Sequence, residues 1–246
     1  MKVAAILPAA GLGTRMGKYS GAESAGTSRK QFMLLEGAPI LIHTTRKFVA
    51  AKSVSEIIVA VRREDIVPLE RQLAEECYSK PVRLVEGGRN RQESVGNALT
   101  QASAQTELVA VHDAVRPFVT VAQIEETIRK ASEVGAAILG IPPVDTIKLA
   151  DKTVIQSTLP RERTVLAQTP QVFRAALLRD AFACAARDSF IGTDEASLVE
   201  YLGESVHVVL GSDRNIKITR PGDMALARLF YQEEAGYLSE ARTASG

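Results

Sequence analysis

Short apolar runs alternate along this chain with longer stretches in which apolar positions recur every three or four residues. The first pattern predicts strands and the second predicts helices. Strands are expected over Lys2–Leu7, Glu56–Arg62, Val82–Val85, Leu108–His112 and Ala136–Pro142. Between them, helical periodicity covers Ile40–Ala51, Glu64–Tyr78, Arg89–Ala102 and Val121–Val134. Strand–helix alternation of this kind implies an α/β fold, a mostly parallel sheet with helices on both faces.

The rhythm breaks at Pro142-Pro143, because a residue before proline is pushed out of helical geometry. The segment that follows, 144-VDTIKLADKTVIQSTL-159, alternates as a hairpin turning at Asp151-Lys152. A two-stranded ribbon is marginal on its own in water, so it is expected to lie on another surface, a partner subunit before its own domain. Beyond a polar bend at Gln168–Gln171, helices resume over Arg174–Arg187 and Asp194–Tyr201. Two short strands, Val206–Leu210 and Asn215–Thr219, precede a last helix over Pro221–Glu234, with Pro221 suited to its first turn. One domain over residues 1–236 is expected, with the ribbon at about 142–159 as an arm and residues 237–246 as a frayed tail.

In an open parallel sheet, ligands bind beyond the carboxyl ends of the strands. The segments expected there are rich in small and basic residues. The first, 8-PAAGLGTRMGKYSGAESAGTSRKQF-32, carries Arg15 near one end and Lys30 at the other. It is not a P-loop, since Gly11 and Gly17 are too far apart and Tyr19 follows Lys18. It is not a dinucleotide fingerprint either: Gly11 and Gly13 fit, but Met16 takes the third position and no acidic residue closes the next strand. What it shares with both is Gly-rich backbone whose free N–H groups can approach an anion. A flexible surface connection would look the same in isolation. The other strand ends supply Gly87-Gly88 and Ser94, then Asp113 and Arg116, then Asp145, Thr146 and Lys148 on the ribbon. Each has an ordinary structural reading, a turn, a cap or a solvated face. Their recurrence at one end of the sheet points to a site for a phosphorylated ligand. In 213-DRNIKITRP-221, Lys217 lies in a strand-like run and calls for an anionic partner, which a substrate phosphate would supply. In 192-GTDEASLVE-200, Thr193 or Asp194 caps a helix, and Glu195 lies in its first turn.

Composition narrows the chemistry. Thirty basic residues against twenty-nine acidic ones, in 246 residues, argue against a general nucleic-acid binder. The two cysteines, Cys77 and Cys184, form no disulfide framework, and His43, His112 and His207 show no metal-ligand spacing. No apolar run approaches the ~20 residues needed to span a bilayer, so a soluble, cytoplasmic protein is expected. No nucleophile–base pair and no metal-ligand cluster stands out. Phosphoryl and nucleotidyl transfer need little from a protein beyond positioning and positive charge, and they fit this inventory.

The motifs PAAGLGTRM, KQF, GGRNRQESV, HDAVRP, PPVDTIK, TPQVF, TDEASLVE and NIKITRPGDM occur in this order from about Val3 to Ala227. In this the chain resembles the 2-C-methyl-D-erythritol 4-phosphate cytidylyltransferases of isoprenoid biosynthesis. The resemblance implies a Rossmann-like fold and a homodimer whose arms cross between subunits. It implies CTP and 2-C-methyl-D-erythritol 4-phosphate as substrates, with Mg²⁺ held largely by their phosphates. Arg15 and Lys30 would stabilise charge on the reacting phosphorus and the leaving pyrophosphate. Pro8, Ala9, Ala10, Gly11 and Gly13, with Gly88 and Ser94, would hold the nucleotide. Asp113 and Thr193 would bind hydroxyls of the acceptor, with Ala114 and Thr169 lining the same pocket. Arg161 and Lys217 would orient the attacking phosphate, and Thr146 and Arg116 would be contributed across the dimer.

Two departures stand out. The segment between Arg15 and Lys30 is longer than the family's loop, so Lys18 or Arg29 is an alternative to Lys30, and its Gly/Ser content suggests a mobile lid. Arg89 follows the Gly pair where an acidic residue is expected. Rival readings are a cytidylyltransferase for another polyol phosphate, such as ribitol 5-phosphate, and a non-catalytic nucleotide-binding module.

Overall fold

The structure, a computed structural model, describes residues 1–11 and 29–243. The first half runs β1 (Val3–Pro8), β2 (Leu34–Leu35), β3 (Ala38–Pro39), α1 (Ile40–Ala50), β4 (Val54–Val61), α2 (Arg63–Glu75), β5 (Val82–Glu86), α3 (Arg91–Thr100) and β6 (Leu108–Val111). Then come α4 (Val121–Val134), β7 (Ala136–Ile141), β8 (Ile147–Asp151), β9 (Val154–Leu159), β10 (Leu166–Arg174), α5 (Ala175–Arg187), α6 (Glu195–Tyr201), β11 (His207–Leu210) and α7 (Pro221–Thr243).

Seven strands form the main sheet in the order β11-β7-β10-β6-β1-β4-β5. All neighbouring pairs are parallel except those made by β10, which is antiparallel to both β6 and β7. Alternation along β1 explains why both faces are covered. Val3, Ala5 and Leu7 pack on one face with Leu41 and Phe48 of α1 and Ile124 and Ile128 of α4. Ile6 points to the other face, where Val95 of α3, Leu178 of α5 and Val199 of α6 meet. With period-two strands buried on both sides, the apolar run Val3–Leu7 has no solvent-facing position to mark with a polar residue. Helix ends are set locally. Thr120 and Gln123 make a reciprocal capping box at α4, and Gly135, at φ 97°, closes the same helix.

The structure departs from expectation in four places. The polar bend expected at Gln168–Gln171 belongs to β10, a central strand. Pro170 cannot donate to a ladder, and the register with β7 shifts between Ala167 and Gln171, where the chain absorbs it. The polar side chains stay buried because each is bonded: Gln171 to Asp194 and to the Ala196 amide, Gln168 to Ser212. Second, Asn215–Thr219 is not a strand. It is an extended connection in which Ile218 packs with Leu35 and Phe118, so its alternation reflects burial without a ladder. Third, β2 and β3 form a small hairpin turning at Glu36 and Gly37, both with positive φ, as a two-residue hairpin turn requires. The last helix also runs past Glu234 to Thr243.

The ribbon is a separate two-stranded sheet with its turn at Lys152, φ 52°. Every residue of β9 and all but Ile147 of β8 is exposed, including Leu149, Val154 and Ile155. Placing β10 at the centre of the sheet has a measurable cost: Phe173→Ala, at a fully buried position, should lower unfolding free energy by about 3–5 kcal/mol. Urea denaturation checks this, and a loss below about 1 kcal/mol would contradict a central β10.

Candidate functional site

Beyond β1 the chain crosses to β4 and β5 on one side and returns to β6 on the other. The crevice between β1 and β6 is therefore the switch point of the sheet. A cavity of about 300 Å³ lies there, at the carboxyl ends of β1, β4, β5 and β6. One wall is backbone. Pro8, Ala9, Ala10 and Gly11 leave β1 and are braced by the buried Gln31, whose amide donates to the carbonyls of Ala9 (2.6 Å) and Gly11 (3.1 Å). Lys30 lines the cavity beside it.

The opposite wall is the Gly pair and the start of α3. A Cβ on Gly87 would stand 2.5 Å from the Cβ of Ala10, and one on Gly88 would collide with Glu93. Only glycine lets these two walls approach. Ser94 holds the turn, accepting from the Gly88 amide at 3.0 Å and donating to the Asn90 carbonyl. Asn90 caps α3, so the positive end of that helix faces the cavity. Arg89 and Arg62 add charge at the rim, and Arg89 is held by Glu93.

The floor is Asp113, just past β6. Its Oδ2 receives Lys217 Nζ at 2.9 Å and Arg116 Nε at 3.1 Å, and its Oδ1 receives Arg91 Nε at 3.3 Å. Burial alone would raise the Asp113 pKa. Arg91, Lys217 and Arg116 outweigh that and hold it well below the usual carboxylate range. Arg91 also binds Glu195, whose side chain is 1% exposed, through both carboxylate oxygens at 2.7 and 2.8 Å. Three cations thus meet two carboxylates, leaving a net positive site suited to an anionic ligand.

Behind the floor a relay sets the tautomer of His112. The Asp113 amide donates to Thr169 Oγ1 at 3.1 Å, and that hydroxyl lies 3.0 Å from His112 Nδ1. His112 Nε2 lies 3.0 Å from the carbonyl of Arg116, which can only accept. The proton is therefore assigned to Nε2, and Nδ1 accepts from Thr169. A neutral imidazole satisfies every member, and burial pushes the His112 pKa down to about 4.

Of the residues singled out from sequence, Pro8, Ala9, Ala10, Gly11, Lys30, Gly88, Ser94, Asp113, Ala114 and Lys217 line this one cavity. Thr169 supports Asp113 from behind. Arg116, assigned by resemblance to a partner's site, is bonded here to its own Asp113 and to the Asn215 carbonyl at 2.7 Å. Lys217 finds its anionic partner in Asp113. Arg29, the alternative to Lys30, is committed to Asp65 of α2, donating one hydrogen bond to each of its carboxylate oxygens. Thr193 is exposed ahead of α6, and Thr146 and Arg161 are exposed at one end of the ribbon, outside the cavity. Gly13, Arg15, Lys18 and the expected lid lie outside the described residues. In the sequence, Gln31 stood out only as part of KQF, Arg91 only as part of GGRNRQESV, and Glu195 only as a helix-start residue. The signal for Arg91 and Glu195 was tertiary, since α3 and α6 bring them together across more than a hundred residues.

The chain matches the family model for 2-C-methyl-D-erythritol 4-phosphate cytidylyltransferase over residues 3–233. It is 59% identical to the protein of that name from Solibacter usitatus over 239 residues, covering 96% of this chain and 98% of the relative. It is 50% identical to that from Acidobacterium capsulatum, covering 96% and 99%. Among solved structures it is similar to 4-diphosphocytidyl-2C-methyl-D-erythritol synthase from Anaerococcus prevotii, with a TM-score of 0.80, 30% identity and coverage of 94% and 98%. The Thermus thermophilus cytidylyltransferase gives 0.75, 33%, 94% and 100%.

The His112 relay generates a pH prediction. An unfolded histidine takes up a proton near 6.5, and the folded one only near 4. Between those values the unfolded state binds more protons, so stability falls as pH drops through this window. His112→Gln should remove that part of the slope. Urea midpoints of the two proteins at pH 7 and pH 5 test it, and equal losses in both would refute it.

Proposed function

The chain belongs to the 2-C-methyl-D-erythritol 4-phosphate cytidylyltransferase family, and on that premise we propose how its cavity carries the reaction. The enzyme joins CTP and 2-C-methyl-D-erythritol 4-phosphate, giving 4-diphosphocytidyl-2-C-methyl-D-erythritol and pyrophosphate. A phosphate oxygen of the acceptor bonds to the α-phosphorus of CTP as the bond from that phosphorus to the bridging oxygen breaks. The electron pair leaves with pyrophosphate. Neither a covalent enzyme intermediate nor a protein base is required, so catalysis rests on alignment and on charge.

The observation that supports this reading is the meeting, in one cavity at the sheet switch point, of anion-binding backbone with Lys30, Arg62 and Lys217. In the proposed arrangement the nucleotide lies against Pro8–Gly11, Gly88 and Ser94, under the start of α3. Gly13 and Arg15 are outside the described residues; in the proposed reaction Gly13 serves the nucleotide, and Arg15 and Lys30 stabilise the reacting and departing phosphates. The acceptor lies over Asp113 and Ala114, with Lys217 directed at its phosphate and Thr193 toward its hydroxyls.

Mg²⁺ fits this scheme as a companion of the triphosphate. Among the described residues no cluster of His, Cys, Asp or Glu could hold a metal ion, and both oxygens of Asp113 already face cations. The phosphates are then the cation's principal ligands, and the ion supplies charge neutralisation when bound.

The ribbon supports a homodimer. A two-stranded sheet with Leu149, Val154 and Ile155 exposed is not stable by itself, and a second subunit covers it in this scheme. Thr146 then meets the cavity across the dimer, and Arg161, at the same end of the ribbon, orients the acceptor phosphate. Among the described residues no helix is long and apolar enough to cross a membrane. We infer a cytoplasmic location for the activity.

Two experiments follow. Pyrophosphate release with CTP and Mg²⁺ should appear with 2-C-methyl-D-erythritol 4-phosphate and not with ribitol 5-phosphate; release only with the latter would overturn the assignment of the acceptor. Deleting residues 144–158 should convert a dimer to monomer in sedimentation, and a truncated chain that stays dimeric would remove the arm from the interface.

A further inference from the structure

The network under the cavity reaches deeper than the family resemblance assigns. An ionised carboxylate offers about four lone-pair sites. On Asp113, Lys217 and Arg116 occupy those of Oδ2, while Oδ1 has one donor, Arg91 Nε, at 3.3 Å. That is the longest of the three contacts, although Arg91 carries a fork able to grip a carboxylate with two nitrogens. The fork is turned away by Glu195, which takes Nη1 through both of its oxygens. Glu195 cannot yield easily. It sits in the first turn of α6, which Gln171 of β10 bolts down through Asp194 and the Ala196 amide. A buried ion pair is a poor source of stability by itself, because desolvation offsets most of the attraction. A role in placing charge accounts better for a carboxylate buried this deeply.

We propose that Glu195 and Arg91 are positioning residues that keep Oδ1 of Asp113 open as the acceptor for a hydroxyl of the polyol phosphate. Without the charge on Glu195, the guanidinium is free to close on Asp113 with two nitrogens, filling the site a hydroxyl needs. The inference rests on the reading of Asp113 as a ligand of the acceptor substrate.

Steady-state kinetics of Glu195→Gln tests it, with Asp113→Asn alongside. Glu195→Gln should raise KM for 2-C-methyl-D-erythritol 4-phosphate about tenfold, the loss of one hydrogen bond to a charged group, and leave KM for CTP unchanged. Glu195→Asp, which keeps the charge, should recover part of the loss. A merely structural role would lower the active fraction, and with it kcat, without separating the two KM values. Should Glu195→Gln fail to fold, Glu195→Asp carries the test: its shorter side chain holds the Arg91 fork less firmly, so the polyol KM should again rise alone, by a smaller factor. An unchanged polyol KM in these variants, with Asp113→Asn still raising it, overturns the proposal and spares the assignment of Asp113. An unchanged polyol KM in Asp113→Asn overturns that assignment itself.

Discussion

A carboxylate largely withdrawn from water must be neutralised by what surrounds it, and this site is organised by that demand. Asp113 is 6% exposed at the end of β6. Its compensating cations come from α3, from the turn that follows β6, and from the connection into α7. Three separate parts of the chain are thereby drawn to one point. Removing one partner of such a buried group costs about 3–5 kcal/mol, so the parts are not free to drift independently. The charge that defines the site is also what assembles it.

The sheet makes this convergence possible. A chain that winds outward from β1 to β5 and then returns to β6 leaves a crevice that no crossover helix fills. Into that crevice project backbone amides from one side and charged side chains from the other. Nucleotidyl transfer asks for little else: a fixed line between attacking oxygen, phosphorus and leaving group, and positive charge where negative charge gathers. The absence of an evident nucleophile in the sequence agrees with a reaction in which the substrate brings its own.

The parts that could be read from the sequence were those whose signal is local. The apolar runs of β1, β4 and β7, the helical periodicity of α4 and the turn at Lys152 all announce themselves within a dozen residues. The Gly pair is legible as a turn, but the reason Gly87 must be glycine, its close approach to Ala10, is not. What failed to show was whatever depends on a distant partner. Gln168, Thr169 and Gln171 look like a loop because they are polar, and they are buried in β10 because Ser212, His112 and Asp194 satisfy them. Lys217 looks like a strand residue because isoleucines flank it, and one of those enters a core built from α1 and α7. Arg91 and Glu195 each have an unremarkable helical setting, and their meaning lies only in their meeting.

The single amide of Gln31 has a consequence for how this protein can change over generations. By bonding the carbonyls of Ala9 and Gly11 it ties the exit from β1 to the turn that carries Lys30. The relation between these two stems is thus fixed by a contact of their own. Lengthening the sequence between them is cheap, about 0.6 kcal/mol for each doubling, since only closure entropy is at stake. A change in the length of sequence between Gly11 and Arg29 need not displace Lys30 from the cavity. The stems are held constant, and the length between them is left open to drift.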